Sequence, residues 1–299
     1  MRDINGRLIK SRIPVHRPEL GRRPEGPVVI AHRGASAIAP ENTLAAFRAA
    51  AQQGADGFEF DVRLTSDRAC VVVHDARLDR TTNGVGPVAG TSGRAVADLD
   101  AGTWFGPRFA GEGVPTLALA ASSAIRHGLR IIVEIKAEAG AGVRAGIAVA
   151  RQIGRIWPRD LPLPLLSSFD PESLVAAARA CPAAPRALVA QTLPADWRRL
   201  EARLGLAAIN LDERAVTRRV ANALDGAGLV IGAYTVDDPA RARWLRRLGV
   251  ALIITNHPLP IRRALGTLPS AGGRGTAIRA GFLWKRCHIP DVGRNQPPP

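Results

Sequence analysis

Three carboxylates and one lysine occur as two pairs of alternating residues in this 299-residue chain. Glu59 and Asp61 are two positions apart in one apolar run, and Glu134 and Lys136 are two apart in another. If both runs are strands, each pair points to one face. Such a face needs a counter-charge when it is buried, and a hard divalent cation bound by oxygens provides one. We therefore predict a metal site at Glu59, Asp61 and Glu134, with Mg²⁺ or Ca²⁺ favoured over zinc. The alternative is a set of surface strand residues or a buried ion-pair network.

Two histidines, His32 and His74, each end an apolar run and precede a charged residue. A single histidine in such a place is more often structural. Two that converge beside carboxylates can serve as general base and general acid, because histidine titrates near neutral pH. Arg33 can hold a phosphate oxygen bidentately, and Gly34 lets a backbone approach closely. Together these residues indicate phosphoryl-ester chemistry.

The formal net charge of +15 lies largely at the two ends of the chain. Residues 1–27 carry seven basic and three acidic side chains, and residues 267–299 carry five and one. We expect these ends to make at most weak contact with anionic surfaces. Because the chain has no zinc-finger, RRM or basic-zipper pattern, we expect no specific nucleic-acid partner. Lys136 is the only lysine between positions 10 and 285, which suggests a site that needs a compact ammonium.

Composition argues against a membrane or disulfide-stabilised protein. No apolar run reaches the ~18–20 residues of a membrane span, and the first 27 residues lack the apolar core of a secretory signal. Three dispersed cysteines indicate neither a disulfide framework nor a zinc site. We therefore expect a soluble cytoplasmic protein without a transmembrane segment.

Apolar β-rich runs alternate with helical patterns, which predicts βαβ units and a parallel sheet. Nine runs have strand character: Val28–Ala31, Gly57–Asp61, Val71–His74, Ile131–Lys136, Leu163–Ser167, Ala187–Ala190, Ala207–Leu211, Leu229–Tyr234 and Ala251–Thr255. Eight stretches have helical character: Thr43–Gln53, Ala118–His127, Val143–Ile156, Pro171–Ala180, Asp196–Leu204, Arg214–Leu224, Pro239–Leu248 and Leu259–Leu265.

The alternation breaks between Asp61 and Val71, where only a turn fits. A parallel pair needs a crossover of about a dozen residues. The third run should therefore form an antiparallel hairpin with the second, with His74 roughly opposite Asp61. The other eight strands predict an α/β fold, a (β/α)₈ TIM barrel, over residues 27–266. We place a hairpin and loop insertion at about 65–115, a basic extension at 1–26 and a poorly ordered basic tail at 267–299.

The active sites of such barrels lie at the C-terminal ends of the strands. Those ends carry His32, the two alternating pairs, Phe169 after the fifth strand run, Tyr234, which is the chain's only tyrosine, and Asn256 after the last run. Polar and aromatic groups on nearly every strand should therefore meet at one rim.

Several motifs, in this order and spacing, resemble the glycerophosphodiester phosphodiesterase family. They are His32-Arg33-Gly34, Pro40-Glu41-Asn42-Thr43, Glu59-Phe60-Asp61-Val62, Thr65-x-Asp67, Val73-His74-Asp75, Arg80-Thr81-Thr82-Asn83-Gly84, Pro115-Thr116-Leu117, Glu134-Ile135-Lys136, Ser168-Phe169-Asp170-Pro171 and Thr255-Asn256-His257-Pro258. The similarity covers about residues 27–266.

The resemblance implies a TIM barrel with a small insertion after its second strand. It implies a phosphoric diester hydrolase of lipid and glycerol metabolism that cleaves glycerophosphodiesters to glycerol 3-phosphate and an alcohol. His32 would match the family's general base and His74 its general acid. The three carboxylates would match its ligands for Mg²⁺ or Ca²⁺, and Arg33 and Lys136 its phosphate-holding residues. Phe169 and Tyr234 are further candidates for substrate contact.

Two departures leave the alcohol open. Many relatives have Trp where this chain has Tyr234, and Asp where it has Asn256. One alternative is a phospholipase D-like or lysophospholipid-cleaving relative, whose long apolar groove Trp104, Phe105 and Phe109 could line; a small insertion core is the favoured interpretation of those aromatics. The other is a non-catalytic phosphate-ester binding protein, which should lack at least one histidine or ligand. All of them are present.

Overall fold

Eight parallel strands close into a barrel in the computed structural model, which describes residues 26–267. The barrel strands are β1 (Val28–Ala31), β2 (Gly57–Leu64), β4 (Arg130–Ile135), β5 (Leu165–Ser168), β6 (Arg186–Ala190), β7 (Ala208–Asp212), β8 (Val230–Tyr234) and β9 (Leu252–Thr255), and β3 (Cys70–Val72) pairs with β2. The strand order is β1-β9-β8-β7-β6-β5-β4-β2-β3, and β1–β2 pairing closes the ring. The predicted TIM barrel is confirmed.

One or two helices lie between consecutive barrel strands, and one follows the last strand. They are α1 (Leu44–Gln52), α2 (Gly93–Ala97), α3 (Leu117–His127), α4 (Gly142–Ile156), α5 (Pro171–Ala180), α6 (Trp197–Leu204), α7 (Arg218–Asp225), α8 (Pro239–Arg247) and α9 (Pro258–Leu265), and 3₁₀ turns occur at Val88–Gly90, Pro107–Phe109 and Glu213–Ala215. Side chains start several of them: the hydroxyls of Thr43 and Thr116 accept from the backbone of α1 and α3. Gly128 and Gly205 end α3 and α6 in the left-handed conformation.

The alternation of β2 separates apolar packing from charge. Phe58 and Phe60 point outward to Phe47 of α1, and the Phe47 and Phe58 rings stack with centroids 4.2 Å apart. All three side chains are fully buried. The residues between and after them, Glu59 and Asp61, therefore point inward. This strand thus anchors the barrel to its first helix with one face and serves the rim with the other.

The hairpin forms as predicted, with a pairing that differs by one residue. β3 is antiparallel to β2, with Val72 opposite Val62. Beyond β3, the Val73 amide donates to the Asp61 carbonyl at 3.1 Å, so Val73 faces Asp61 and His74 lies one residue further. The turn itself lies at 66–68 as predicted, with Thr65 N donating to Ala69 O across it at 3.1 Å. Counting outward from this turn sets Asp61 opposite Val73 rather than His74.

The insertion contains a helix that the sequence did not indicate. α2 is only five residues long, and the Ser92 hydroxyl accepts from Ala95 N at its start. An aliphatic cluster that includes Val71, Leu78 and Val96 forms the core of the insertion. Its aromatics form a separate group at its edge, in which the Phe105 ring lies 5.6 Å from Trp104 and 5.5 Å from Phe109.

Among residues 26–267, no helix is both long enough and apolar enough to cross a membrane. The predicted basic ends at 1–26 and 267–299 lie outside the described residues except for Gly26 and Thr267. Their predicted boundaries and weak contact with anionic surfaces stay predictions.

The aromatic stack should dominate local stability. Because Phe58 is fully buried against Phe47 and Phe60, we expect Phe58→Ala to lower the free energy of unfolding by about 3–5 kcal/mol. Denaturant unfolding followed by circular dichroism measures it. The matched control is Val85→Ala, since Val85 is 80% exposed and should change stability by less than about 0.5 kcal/mol. Equally small changes in the free energy of unfolding for both variants would contradict the role of Phe58 in the core.

Candidate active site

One cavity of about 180 Å³ at the C-terminal rim collects the residues predicted from the sequence. Its walls include His32, Arg33, Glu59, His74, Glu134, Lys136, Phe169 and Tyr234, together with Ser167, Val189, Asn210, Thr235 and Ile254. Asp61 lies directly behind the wall, 1% exposed, and forms ion pairs with Arg33 and Lys136. All nine predicted site residues therefore come together.

The three carboxylates form one buried cluster. Parallel pairing of β2 with β4 sets Asp61 beside Glu134, and strand alternation sets Glu59 on the same face. One oxygen of each carboxylate lies within 4.8 Å of the others. Like charges this close in a buried environment repel strongly.

Two cations oppose that repulsion. Lys136 Nζ lies 2.6 Å from Glu134 Oε1 and 3.3 Å from Asp61 Oδ1, and Arg33 Nε lies 3.3 Å from Asp61 Oδ2. Burial alone would raise the pKa of Asp61, but Lys136 and Arg33 hold it below its usual value. Burial and the Asp61 charge instead raise the pKa of Glu134 to about 7. Burial and both neighbouring carboxylates raise the pKa of Glu59 well above its usual value.

These features fit a divalent cation. Glu59 accepts the Arg33 backbone N–H at 3.0 Å with Oε2, whereas its other oxygen, Oε1, is buried with no hydrogen-bond partner. A buried carboxylate oxygen without a partner is costly unless a cation is bound. Three oxygen donors on a rigid barrel wall are the donor set that Mg²⁺ and Ca²⁺ prefer. The cluster could therefore hold a hard metal ion.

Arg33 is held in an unusual backbone conformation. Its φ is +55° and that of Gly34 is +81°, a region that L-residues seldom adopt. A Cβ on Gly34 would lie 2.6 Å from Ala46 Cβ, so only glycine fits against α1. The bend aims the Arg33 N–H at Glu59 and its guanidinium at Glu41, whose Oε1 accepts from Nη1 at 2.8 Å. Strain of this kind often accompanies functional positions.

His32 is the last residue of a chain of hydrogen bonds that runs from Asp237 through Asn256, the residue after β9. We call this chain the relay. His32 Nδ1 lies 2.8 Å from Asn256 Oδ1. Asn256 Nδ2 donates to Asp237 Oδ2 at 2.7 Å, so the oxygen end of the amide must face the imidazole. His32 Nδ1 therefore carries the hydrogen, and Nε2 keeps its lone pair. Burial and the Arg33 charge lower the pKa of His32 to about 4, so the ring is neutral at pH 7.

His74 belongs to a different network. Its Nδ1 lies 2.6 Å from Asp75 Oδ1, and Arg80 donates to both oxygens of Asp75. Arg80 also donates to both oxygens of Glu41 at 2.9 Å, which connects this network to Arg33. Burial lowers the pKa of His74, against the opposing influence of Asp61. Hydrogen bonds from Arg80 hold the pKa of Asp75 well below its usual value, so a carboxylate faces the His74 ring.

Two aromatic rings form the open side of the cavity. Phe169 and Tyr234 meet edge to face with centroids 6.1 Å apart, and Lys136 Nζ lies 5.4 Å from the Phe169 centroid. Phe169 is 46% exposed. Burial raises the pKa of Tyr234, and its hydroxyl has no hydrogen-bond partner among the described residues. Trp104, Phe105 and Phe109 do not line this cavity.

The site also uses residues that the sequence reasoning did not assign. Asn42 Nδ2 donates to Asp61 Oδ2 at 2.9 Å, and Glu41, Asp75, Arg80 and Asp237 hold the side chains described above. Four of these five residues lie inside the family motifs quoted above, so their nearness to a predicted site residue indicates a role in the site. Asp237 has no such indication, because its partner Asn256 is 19 residues away.

Polar groups gathered at the C-terminal rim of a TIM barrel define an enzyme of the barrel class. Over residues 32–259 the chain matches the Glycerophosphoryl diester phosphodiesterase family. It therefore belongs to that family of phosphoric diester hydrolases, and the predicted family and enzyme class are confirmed. YhdW of Bacillus subtilis (strain 168) is 34% identical over 237 residues, which cover 77% of this chain and 94% of YhdW.

Solved structures of phosphodiesterases are also similar to this chain. An Oleispira antarctica phosphodiesterase in complex with the product sn-glycerol-3-phosphate is 33% identical, with a TM-score of 0.77, and the match covers 80% of this chain and 96% of that one. A glycerophosphodiester phosphodiesterase from Agrobacterium tumefaciens str. C58 is 31% identical, with a TM-score of 0.66 and coverage of 79% and 99%.

The carboxylate cluster predicts metal-dependent stability. Adding Mg²⁺ or Ca²⁺ to chelator-treated protein should raise the melting temperature by about 5 °C, because a ligand that binds only the folded state stabilises it. Glu59→Gln should abolish the shift without lowering the metal-free melting temperature, since it removes one of three repelling charges. Calorimetry measures both. Asp98→Asn, whose carboxyl side chain is 74% exposed, is the control; an undiminished shift in Glu59→Gln would contradict the site.

Proposed function

We propose that this chain hydrolyses glycerophosphodiesters to sn-glycerol 3-phosphate and an alcohol, in a reaction that depends on a divalent metal and on His32 and His74. The observation that carries the proposal is that both histidines, the carboxylate cluster and two cations share one cavity. The Oleispira antarctica phosphodiesterase, which resembles this chain, holds sn-glycerol-3-phosphate. A cytoplasmic location and the absence of a specific nucleic-acid partner stay predictions from the sequence.

Glu59, Asp61 and Glu134 would hold the metal, and Mg²⁺ or Ca²⁺ suits their oxygen donors. When bound, the metal neutralises phosphate charge and polarises the phosphoryl oxygen. Arg33 and Lys136 supply further positive charge to the phosphate. Both are already held by carboxylates, so little ordering of their side chains is needed when substrate binds.

The two histidine environments support different roles. His32 is neutral, and its free Nε2 can accept a proton from the attacking water. His74 has the Asp75 carboxylate on Nδ1, which stabilises the imidazolium that a proton donor needs. As the phosphorus–oxygen bond to water forms and the bond to the alcohol breaks, His32 gains one proton and His74 gives one to the leaving oxygen. Separated proton affinities are how one site runs both acid and base chemistry.

Phe169 and Tyr234 would contact the carbon skeleton of the substrate. The cavity's volume of about 180 Å³ suits a small headgroup better than an acyl chain. The aromatic group at Trp104 lies outside the cavity walls, so it offers no apolar path for a lipid. This favours a glycerophosphodiester over the alternative lysophospholipid or phospholipase D-like substrate.

Turnover with and without chelator tests the proposal. Purified protein is incubated with glycerophosphocholine and glycerophosphoglycerol, and glycerol 3-phosphate is measured by a coupled assay. Activity that disappears with EDTA and returns with Mg²⁺, Ca²⁺ or Mn²⁺ supports it. Activity that survives EDTA would contradict the metal dependence, and no turnover of any glycerophosphodiester would favour the non-catalytic binding alternative.

Loss of either histidine should remove proton transfer. We expect His32→Ala and His74→Ala each to lower kcat by about 10²-fold or more, the usual contribution of a general acid or base. His127→Ala is the control, because His127 is exposed at the end of α3. Steady-state kinetics on folded variants measure the effect, and near-normal turnover of either active-site variant would show that the role is wrong.

Asp237 should act on His32 through Asn256. In Asp237→Asn, the new amide nitrogen would face Asn256 Nδ2 in place of an acceptor, so Asn256 should turn over and present its nitrogen to His32. The imidazole then switches tautomer and its Nε2 no longer accepts a proton. We expect kcat to fall by about 10²-fold or more with little change in KM.

The double variant Asp237→Asn/Asn256→Asp restores the polarity of the relay. Its amide at position 237 can donate to the carboxylate at position 256, and that carboxylate can accept from His32. We expect the double variant to recover kcat to within about tenfold of the original. Both kinetic constants and melting temperatures are measured for each variant. Asp237→Asn with an unchanged kcat, or a double variant no better than the single one, would exclude the relay.

A further inference from the structure

A second cavity, of about 270 Å³, adjoins the catalytic one at the rim. It lies between the end of β2, the segment after β4 and the first turn of α4. Lys136 lines both cavities. The other charged residues in its walls are Arg63, Arg68, Glu138 and Arg144, so four cations face one carboxylate. We call this cavity the basic groove.

Only part of this positive charge is neutralised within the protein. Glu138 Oε1 accepts from Arg63 Nη1 at 2.8 Å, and the Lys136 ammonium is engaged by the carboxylate cluster. Arg68 and Arg144 are both exposed, and neither side chain has an ion-pair partner among the described residues. The first turn of α4 also lacks a side-chain cap, and so adds the positive end of a helix dipole.

The basic groove and the proposed proton donor share a residue. Arg63 Nε donates to the His74 carbonyl at 2.8 Å, so Arg63 connects the His74 segment to the groove wall. The next step rests on the proposed function: if His74 protonates the leaving oxygen, the alcohol departs on the His74 side of the phosphate. The basic groove begins on that side.

We propose that the basic groove binds a second anionic group on the alcohol, and that the preferred substrates are glycerophosphodiesters whose alcohol is itself phosphorylated. Arg68 and Arg144 are the residues free to hold a phosphomonoester, and the guanidinium fork matches phosphate oxygens bidentately. A neutral or cationic alcohol gains nothing from these contacts. The groove thus determines the class of alcohol, whereas the catalytic cavity determines the bond that is broken.

A matched substrate pair tests the proposal. Glycerophosphoinositol 4-phosphate and glycerophosphoinositol differ by one phosphomonoester on the alcohol. We expect the full-length enzyme to show about tenfold higher kcat/KM for the phosphorylated substrate at low salt, the effect of two exposed charge contacts. The preference should shrink as salt screens it. In Arg68→Ala/Arg144→Ala the ratio should fall to about one, whereas Arg155→Ala, which removes an exposed arginine from the other end of α4, should keep it.

Binding of the free alcohol gives a readout that needs no turnover. Calorimetric titration with inositol 4-phosphate should show a Kd about tenfold higher for the double variant than for the parent and Arg155→Ala proteins, and inositol should not bind. No preference between the substrates, or a preference and affinity that survive in the double variant, would overturn the basic groove. An enzyme that binds inositol 4-phosphate through these arginines yet cleaves no glycerophosphodiester would keep the groove and refute the proposed function.

Discussion

The mutual repulsion of three buried carboxylates is the constraint on which the rest of the rim depends. Glu59, Asp61 and Glu134 are each less than 10% exposed and approach within 4.8 Å. Most barrel interiors avoid this repulsion because branched aliphatic side chains fill them. Because the three carboxylates are buried together, the surrounding residues must counter their repulsion. The role of each neighbour follows from how it does this.

Arg33 and Lys136 supply most of the opposing positive charge, and the backbone positions both side chains. Lys136 follows β4, so the same strand that presents Glu134 presents its counter-ion. Arg33 reaches Asp61 because its left-handed φ turns the chain at the end of β1. Through Glu41 and Arg80 the same arginine is joined to the Asp75–His74 pair. The hairpin and the first barrel strand are therefore coupled by charge as well as by packing.

Sequence reasoning reached the barrel and its site because both leave local periodic patterns. A strand buried on both faces is an uninterrupted apolar run, and β2 adds the alternation of Phe58 and Phe60 with Glu59 and Asp61. α2 is too short to show a helical period. The predicted turn at 66–68 does set the register of the hairpin, but it pairs Asp61 with Val73 rather than with His74. Features that depend on distant partners were beyond sequence reasoning. Asn256 looked like a lost negative charge, yet Asp237 supplies a carboxylate directly behind it.

The Asp237 carboxylate behind Asn256 changes how the two histidines are understood. From the sequence they are equivalent: each ends an apolar run and precedes a charged residue. In the structure, Nδ1 of His32 meets the neutral oxygen of an amide, whereas Nδ1 of His74 meets a carboxylate. A neutral acceptor fixes a tautomer and favours protonation less strongly than a carboxylate does. If His32 is the base and His74 the acid, as proposed, the difference between them lies in the partner of Nδ1. The carboxylate that would make the two alike is held behind Asn256, on Asp237.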